Sequence, residues 1–224
     1  IASNLKLPNH STMRSLPNIT VWGLTREADV KLTLSLGADY LGFILYPQSP
    51  RAVSLDRAVE LAAAVPVGQR VAVDVATSLD DLKRYCEAGF DYFQIHFGAD
   101  FDHSNLAEYS KIVGKEKLWL APRLASEDTF TEDILDYANT ILIDTFVNDQ
   151  FGGTGKVGDW TRFNALKERY PQTNWVLAGG LSPSNLLDAL ASATADHLDI
   201  NSGVEIAPGI KDGAKLREAF KVLR

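Results

Sequence analysis

The chain has 224 residues, 46% of them hydrophobic, a formal net charge of -7 and a single cysteine, Cys86. That length and apolar content suffice for one large domain with a buried core. The acidic balance argues against nucleic acid or an anionic membrane surface as partner, because nothing would neutralise a run of phosphates. One cysteine excludes an intramolecular disulfide and any multi-cysteine metal site, and the cytoplasm is the expected compartment. Residues 1–18 mix polar residues and proline with isolated leucines, so they read as a flexible leader or appended segment and not as a signal peptide. No window approaches the length of a transmembrane helix.

From residue 19 onward, short apolar or β-branched runs alternate with segments of helical periodicity. Strands are expected at 19–23, 39–45, 69–75, 91–96, 117–121, 140–144, 174–179 and 197–201. Helices are expected near 26–36, 54–64, 78–88, 103–113, 128–137, 159–169, 182–193 and 213–223. Ser54, Thr77-Ser78, Asp159 and Ser182-Pro183 supply N-terminal caps, and Gly37, Gly68 and Gly89 fall where helices should stop. Eight such units without a long linker point to an α/β fold, a (β/α)8 TIM barrel forming a single domain over 19–224. An open doubly wound sheet is the alternative.

A barrel places its chemistry at the C-terminal ends of the strands. The residues to inspect are therefore Trp22, the loop 46–51 with Arg51, Asp74, His96, Pro122-Arg123, Asp144, Gly179-Gly180 and the turn 201–203. The turns LAGGLSPSN and INSGVE, after the seventh and eighth strands, offer backbone N–H groups where only small side chains permit close approach, and together suit a phosphate. Asp144, at a strand mouth, suits a general acid or base, or else caps a loop. Gly152, Gly153 and Gly155 behind it would let a loop close over a ligand or simply turn. Arg51 suits a bidentate grip on a carboxylate, or is an ordinary surface arginine. His96 is either a hydrogen-bond donor near a ligand or a packed histidine.

In order and spacing, the stretches GLTREADVKLTLSLGADYLGFILYPQSPRAVS, FQIH, ILIDT with FGGTGKVGDW, VLAGGLSPSNL and DINSGVEIAPGIKD together resemble the phosphoribosylanthranilate isomerase family. The resemblance implies an Amadori rearrangement of N-(5'-phosphoribosyl)anthranilate to the 1-deoxyribulose aminoketose in tryptophan biosynthesis. It implies no cofactor and no metal, a small phosphosugar as partner, and a monomer or homodimer. It implies Asp144 as general acid on the ring oxygen, and Arg51, His96, Gly153 and Gly155 around the substrate. Gly179, Gly180, Ser202 and Gly203 would hold its phosphate.

The resemblance also implies a general-base cysteine at the end of the first strand, where this chain has Trp22. An indole donates a hydrogen bond and cannot accept a proton, so Trp22 is not competent as that base. Cys86 is expected on an outer helix. Asp74 is the candidate replacement if its side chain faces the lumen. The competing readings are a catalytically impaired or repurposed homologue that binds a phosphorylated ligand, and an enzyme acting on another phosphosugar.

Overall fold

A computed structural model describes residues 16–124, 128–145 and 160–224. Eight parallel strands close in chain order into a barrel: β1 (Asn18–Val21), β2 (Tyr40–Ile44), β3 (Arg70–Val75), β4 (Tyr92–Phe97), β5 (Leu118–Pro122), β6 (Thr140–Asp144), β7 (Asn174–Ala178) and β8 (His197–Ile200). The ring is sealed by β1 against β8, with Asn18 opposite His197 and Val21 opposite Ile200. β1 thus begins inside the expected leader, of which residues 1–15 lie outside the described residues.

The helices α1 (Glu27–Ser35), α2 (Leu55–Ala62), α3 (Leu79–Glu87), α4 (Ser104–Val113), α5 (Trp160–Arg169), α6 (Leu186–Ser192) and α7 (Gly213–Leu223) form the outer layer. Ser54 and Ser78 cap α2 and α3 by accepting from the backbone N–H of Arg57 and Asp81. Three expectations need correction. The helix expected at 128–137 is only a 3-10 turn, Glu132–Asp136, because Thr129, Phe130 and Thr131 favour extended backbone and Ile134 alone is buried. Helix α6 starts at Leu186 and not near Ser182, because Asn185 Oδ1 accepts from Ser182 N while its Nδ2 donates to Gly180 O, holding 182–185 as a turn. A hairpin of β9 (Glu205–Ala207) and β10 (Ile210–Lys211), turning at Pro208-Gly209, follows β8 where no strand was expected.

Alternation along the strands separates two cores. Outward side chains such as Ile19, Leu41, Phe93, Ile141, Leu177 and Leu198 join the helices in a large apolar shell. Inward side chains fill the lumen in successive levels, as barrels of this kind do. From the even strands, Tyr40, Tyr92, Thr140 and His197 lie toward the N-terminal face, while Ile44, His96, Asp144 and Asn201 lie at the C-terminal mouth. Between them come Gln94, Leu142, Asp199 and, on β2, Gly42, which brings no side chain at all.

At the N-terminal end of the lumen, His197 stacks on Tyr40 with ring centroids 5.4 Å apart, meets Trp119 edge-on and is bonded to Thr20. Burial pushes its imidazole down from 6.5 to about 4, against a small opposing pull from Asp39. Between those values the unfolded chain binds the extra proton, so stability is full above pH 6.5 and is lost as pH falls toward 4. Urea unfolding from pH 7 down to 4.5 should therefore show a loss to which His197 contributes on the order of 2–3 kcal/mol. His197→Gln should flatten part of that dependence, and an unchanged slope would contradict the assignment.

Candidate active site

The C-terminal mouth of the barrel holds a cavity of about 250 Å³ lined by Trp22, Ile44, Val73, Gln94, His96, Leu142, Asp144, Ala178, Gly179, Gly180, Leu181, Asp199, Asn201 and Ser202. Of the residues expected at the site, Trp22, His96, Asp144, Gly179, Gly180 and Ser202 are therefore together. Gly153 and Gly155 lie outside the described residues.

Trp22 follows β1 directly, and its backbone N–H donates to Ile200 O, so the side chain turns inward. The indole is 2% exposed and packs edge-on against Trp119, with Val71 and Val73 beside it. Gly42 makes the room: a Cβ built there would stand 1.4 Å from the indole ring. The indole thus occupies the level of the lumen that β2 leaves vacant. Its N–H has no hydrogen-bond partner among the described residues.

Asp199, which was not singled out in the sequence, projects from β8 into the same cavity. Burial, then the negative charge of Asp144, hold its carboxyl well above the usual range, while the Trp22 indole N–H and Lys211 pull the other way. The indole is close enough to favour the charged form without reaching hydrogen-bond geometry, and Oδ1 of Asp199 has no partner among the described residues. Two carboxyls on inward positions of β6 and β8 thus feel each other across one lumen. His96 is pushed down to about 4 by burial, and its Nε2 lies 2.8 Å from Gln94 Nε2.

Asp74 does not face the cavity, which corrects its candidacy as a base. On β3, Val71 and Val73 point inward, so Asp74 points out. Its Oδ2 accepts from the Tyr85 hydroxyl of α3 at 2.8 Å and its Oδ1 from the Val75 N–H. Burial and this bond push the Tyr85 phenol up. Cys86 is on α3 in the outer layer, as expected.

Arg51 is absent from the cavity wall and occupied elsewhere. Its Nε and Nη2 donate to Glu205 at 2.7–3.0 Å. Glu205 Oε1 in turn accepts from Lys211 Nζ at 2.9 Å, and Lys211 also reaches Asn201 Oδ1 at 3.0 Å. Burial opposes the charge on Glu205, but the two cations outweigh it and hold the carboxyl low. Gly23, in the left-handed region at φ 67, lets Arg51 cross the chain there, since a Cβ would meet Arg51 Cδ at 2.8 Å. The hairpin that supplies Glu205 and Lys211 was missed for want of a strand signal, although the Pro208-Gly209 pair marks its turn.

The two glycine turns differ in kind. Gly179 and Gly180 take positive φ, at 107 and 62, and line the cavity with Ser202. Gly203 is a packing residue, since a Cβ there would lie 2.0 Å from Leu181 O. It lets the turn after β8 close onto the turn after β7.

A (β/α)8 barrel with paired carboxyls and two glycine turns at its mouth is the frame of an enzyme that works on a small polar ligand. Residues 19–222 match the family N-(5'phosphoribosyl)anthranilate (PRA) isomerase, and the chain belongs to that family. It is 32% identical to the N-(5'-phosphoribosyl)anthranilate isomerase of Syntrophus aciditrophicus (strain SB) over 211 residues, 93% of this chain and 88% of that protein. The crystal structure of phosphoribosyl anthranilate isomerase from Thermus thermophilus superposes with a TM-score of 0.71 at 29% identity, covering 92% of this chain and 98% of that one. At 22% identity and a TM-score of 0.70, the fold is also that of a phosphoribosyl anthranilate isomerase in complex with reduced 1-(o-carboxyphenylamino)-1-deoxyribulose 5-phosphate, covering 93% of this chain and 98% of that one.

The fit of Trp22 over Gly42 is directly testable. Gly42→Ala should cost at least about 3 kcal/mol in urea unfolding, because the indole must leave its place. In a Trp22→Ala background the same change should cost less than about 1 kcal/mol. Additive costs would show that the two residues do not meet.

Proposed function

We propose that this chain catalyses the Amadori rearrangement of N-(5'-phosphoribosyl)anthranilate to 1-(2-carboxyphenylamino)-1-deoxyribulose 5-phosphate, a step of tryptophan biosynthesis. The observation that carries this reading is membership of the isomerase family over nearly the whole chain, in a barrel whose mouth gathers an inward aspartate and two glycine turns. The reading makes Asp144 the general acid that protonates the furanose ring oxygen, which its place at the mouth end of β6 supports. It seats the phosphate on backbone N–H groups of the turn at Gly179 and Gly180, where positive φ turns the main chain at the cavity, and of the turn at 202–203, of which Ser202 lines the cavity. Arg51 and Lys211 share the single carboxylate of Glu205, so that cluster keeps one net positive charge beside the mouth. That charge supports a role for Arg51 in attracting the anthranilate carboxylate, and His96 would serve the substrate from the cavity wall.

Among the described residues no helix is long and apolar enough to cross a membrane. A cytoplasmic setting is supported by the single cysteine. The small phosphosugar is the only partner the reading requires.

The indole in the lumen favours a second reading, in which the barrel binds the phosphosugar without converting it. Loss of fluorescence of freshly prepared N-(5'-phosphoribosyl)anthranilate separates the two. The first reading expects turnover by the native chain and a fall of about 10²-fold or more for Asp144→Asn, with affinity for reduced 1-(o-carboxyphenylamino)-1-deoxyribulose 5-phosphate kept within a few-fold. Tight binding of that analogue with no turnover selects the second reading. Absence of both binding and turnover contradicts each.

A further inference from the structure

The rearrangement needs two proton transfers, one to the ring oxygen and one from sugar C2, so a single acid at the mouth is not enough. We propose that Asp199 is the group that takes the C2 proton. The inference rests on the isomerase reading above and names the residue that completes it.

The assignment follows from what the lumen contains. Among the described residues, Asp144 and Asp199 are the two carboxyls lining the mouth cavity. Trp22 stands where the first strand delivers its last side chain and has nothing with which to accept a proton. Asp74 is turned outward onto Tyr85, and Glu205 is neutralised by Arg51 and Lys211. His96 faces the cavity, but its Nε2 is engaged by Gln94. Asp199 lines the cavity, its Oδ1 is buried without a partner among the described residues, and its strand neighbours Leu198 and Ile200 are fixed in the outer core. The side chain is thereby held toward the lumen. The indole N–H of Trp22, which lines the same cavity, favours the carboxylate form of Asp199.

The steps balance with one proton shared by the two carboxyls: it rests on Asp199 while Asp144 is charged, and the reaction runs from the form in which it has passed to Asp144 and left Asp199 as the carboxylate. Asp144 protonates the ring oxygen, the C1–O bond breaks, and the nitrogen lone pair forms C1=N. Asp199 as carboxylate then takes the proton from C2; the C2–H pair becomes C1=C2 and the C1=N pair returns to nitrogen. The cationic Schiff base beside it favours the charged form of Asp199 at this step. The enaminol becomes the ketone when Asp199 returns its proton to C1 and the C2 hydroxyl passes its proton to Asp144. Both side chains end as they began, and no co-reactant is consumed. Repulsion between two like charges in one lumen is what confines a single proton to the pair.

The test is steady-state turnover of N-(5'-phosphoribosyl)anthranilate, with hydrogen or deuterium at C2, by the native chain, Asp199→Asn and Asp199→Asn/Trp22→Cys. Affinity for the reduced deoxyribulose phosphate analogue reports that each variant is folded. The proposal expects Asp199→Asn to lose about 10²- to 10⁴-fold in kcat with analogue affinity retained. It also expects a larger C2 isotope effect, because proton removal becomes limiting, and recovery of at least tenfold when Trp22→Cys supplies a thiol. A purely structural role would leave the isotope effect unchanged, and that result, like near-native turnover by Asp199→Asn, overturns the proposal while leaving the isomerase reading intact. Failure of the native chain to turn over substrate overturns the isomerase reading itself, and this inference with it.

Discussion

A barrel of eight strands leaves a lumen just wide enough for its own side chains, so each inward position constrains its neighbours. Here the tightest such constraint is the indole of Trp22 seated over Gly42. One strand contributes too much side chain for its level and the next contributes none. The pair closes the centre of the barrel, and it fixes what lies above and below. Trp119, Val71 and Val73 complete the apolar plug, and the mouth cavity begins at the upper face of the indole. Asp199 sits at that boundary, buried enough to resist ionising yet open to the cavity.

Charge around the mouth is arranged with the same economy. Lys211 has no exposed side-chain surface, a placement tolerable only because Glu205 and Asn201 satisfy its ammonium group. Glu205 ties that lysine to Arg51, and so ties the loop after β2 to the hairpin after β8. Gly23 permits the crossing and Gly203 permits the neighbouring turn to close. The rim is consequently a braced structure in which a net positive charge is held near the cavity, with no cation among the described residues that line it.

Much of the fold was legible because its signals are local. Strand runs, serine caps at Ser54 and Ser78 and glycines at helix ends each report on a few residues, and each strand appeared where the alternation placed it. The exceptions have local causes too. Asn185 captures the turn before α6, and Thr129, Phe130 and Thr131 deny a helix to the segment before β6. Placement at the mouth was legible where a polar residue ends a strand, as with Asp144. It was misread at Asp74 because parallel strands buried on both faces are apolar throughout, so RVAVDV does not declare which side its aspartate takes. Asp199 was overlooked for the converse reason. In HLDIN the apolar residues Leu198 and Ile200 mark the outer face and leave His197, Asp199 and Asn201 inward, a signal visible once the register is fixed. Glu205 and Lys211 pair across a hairpin whose partners only the folded chain brings together.

The central claim is that Asp144 and Asp199 act on each other within one lumen. Carbon-13 NMR of the aspartate carboxyls across pH, in the native chain and in Asp144→Asn, tests it most directly. The account predicts one aspartate, assigned to Asp199 by its loss in Asp199→Asn, titrating well above the ordinary range and moving down when Asp144 loses its charge. An Asp199 resonance that titrates in the ordinary range, or that ignores the change at Asp144, would contradict it.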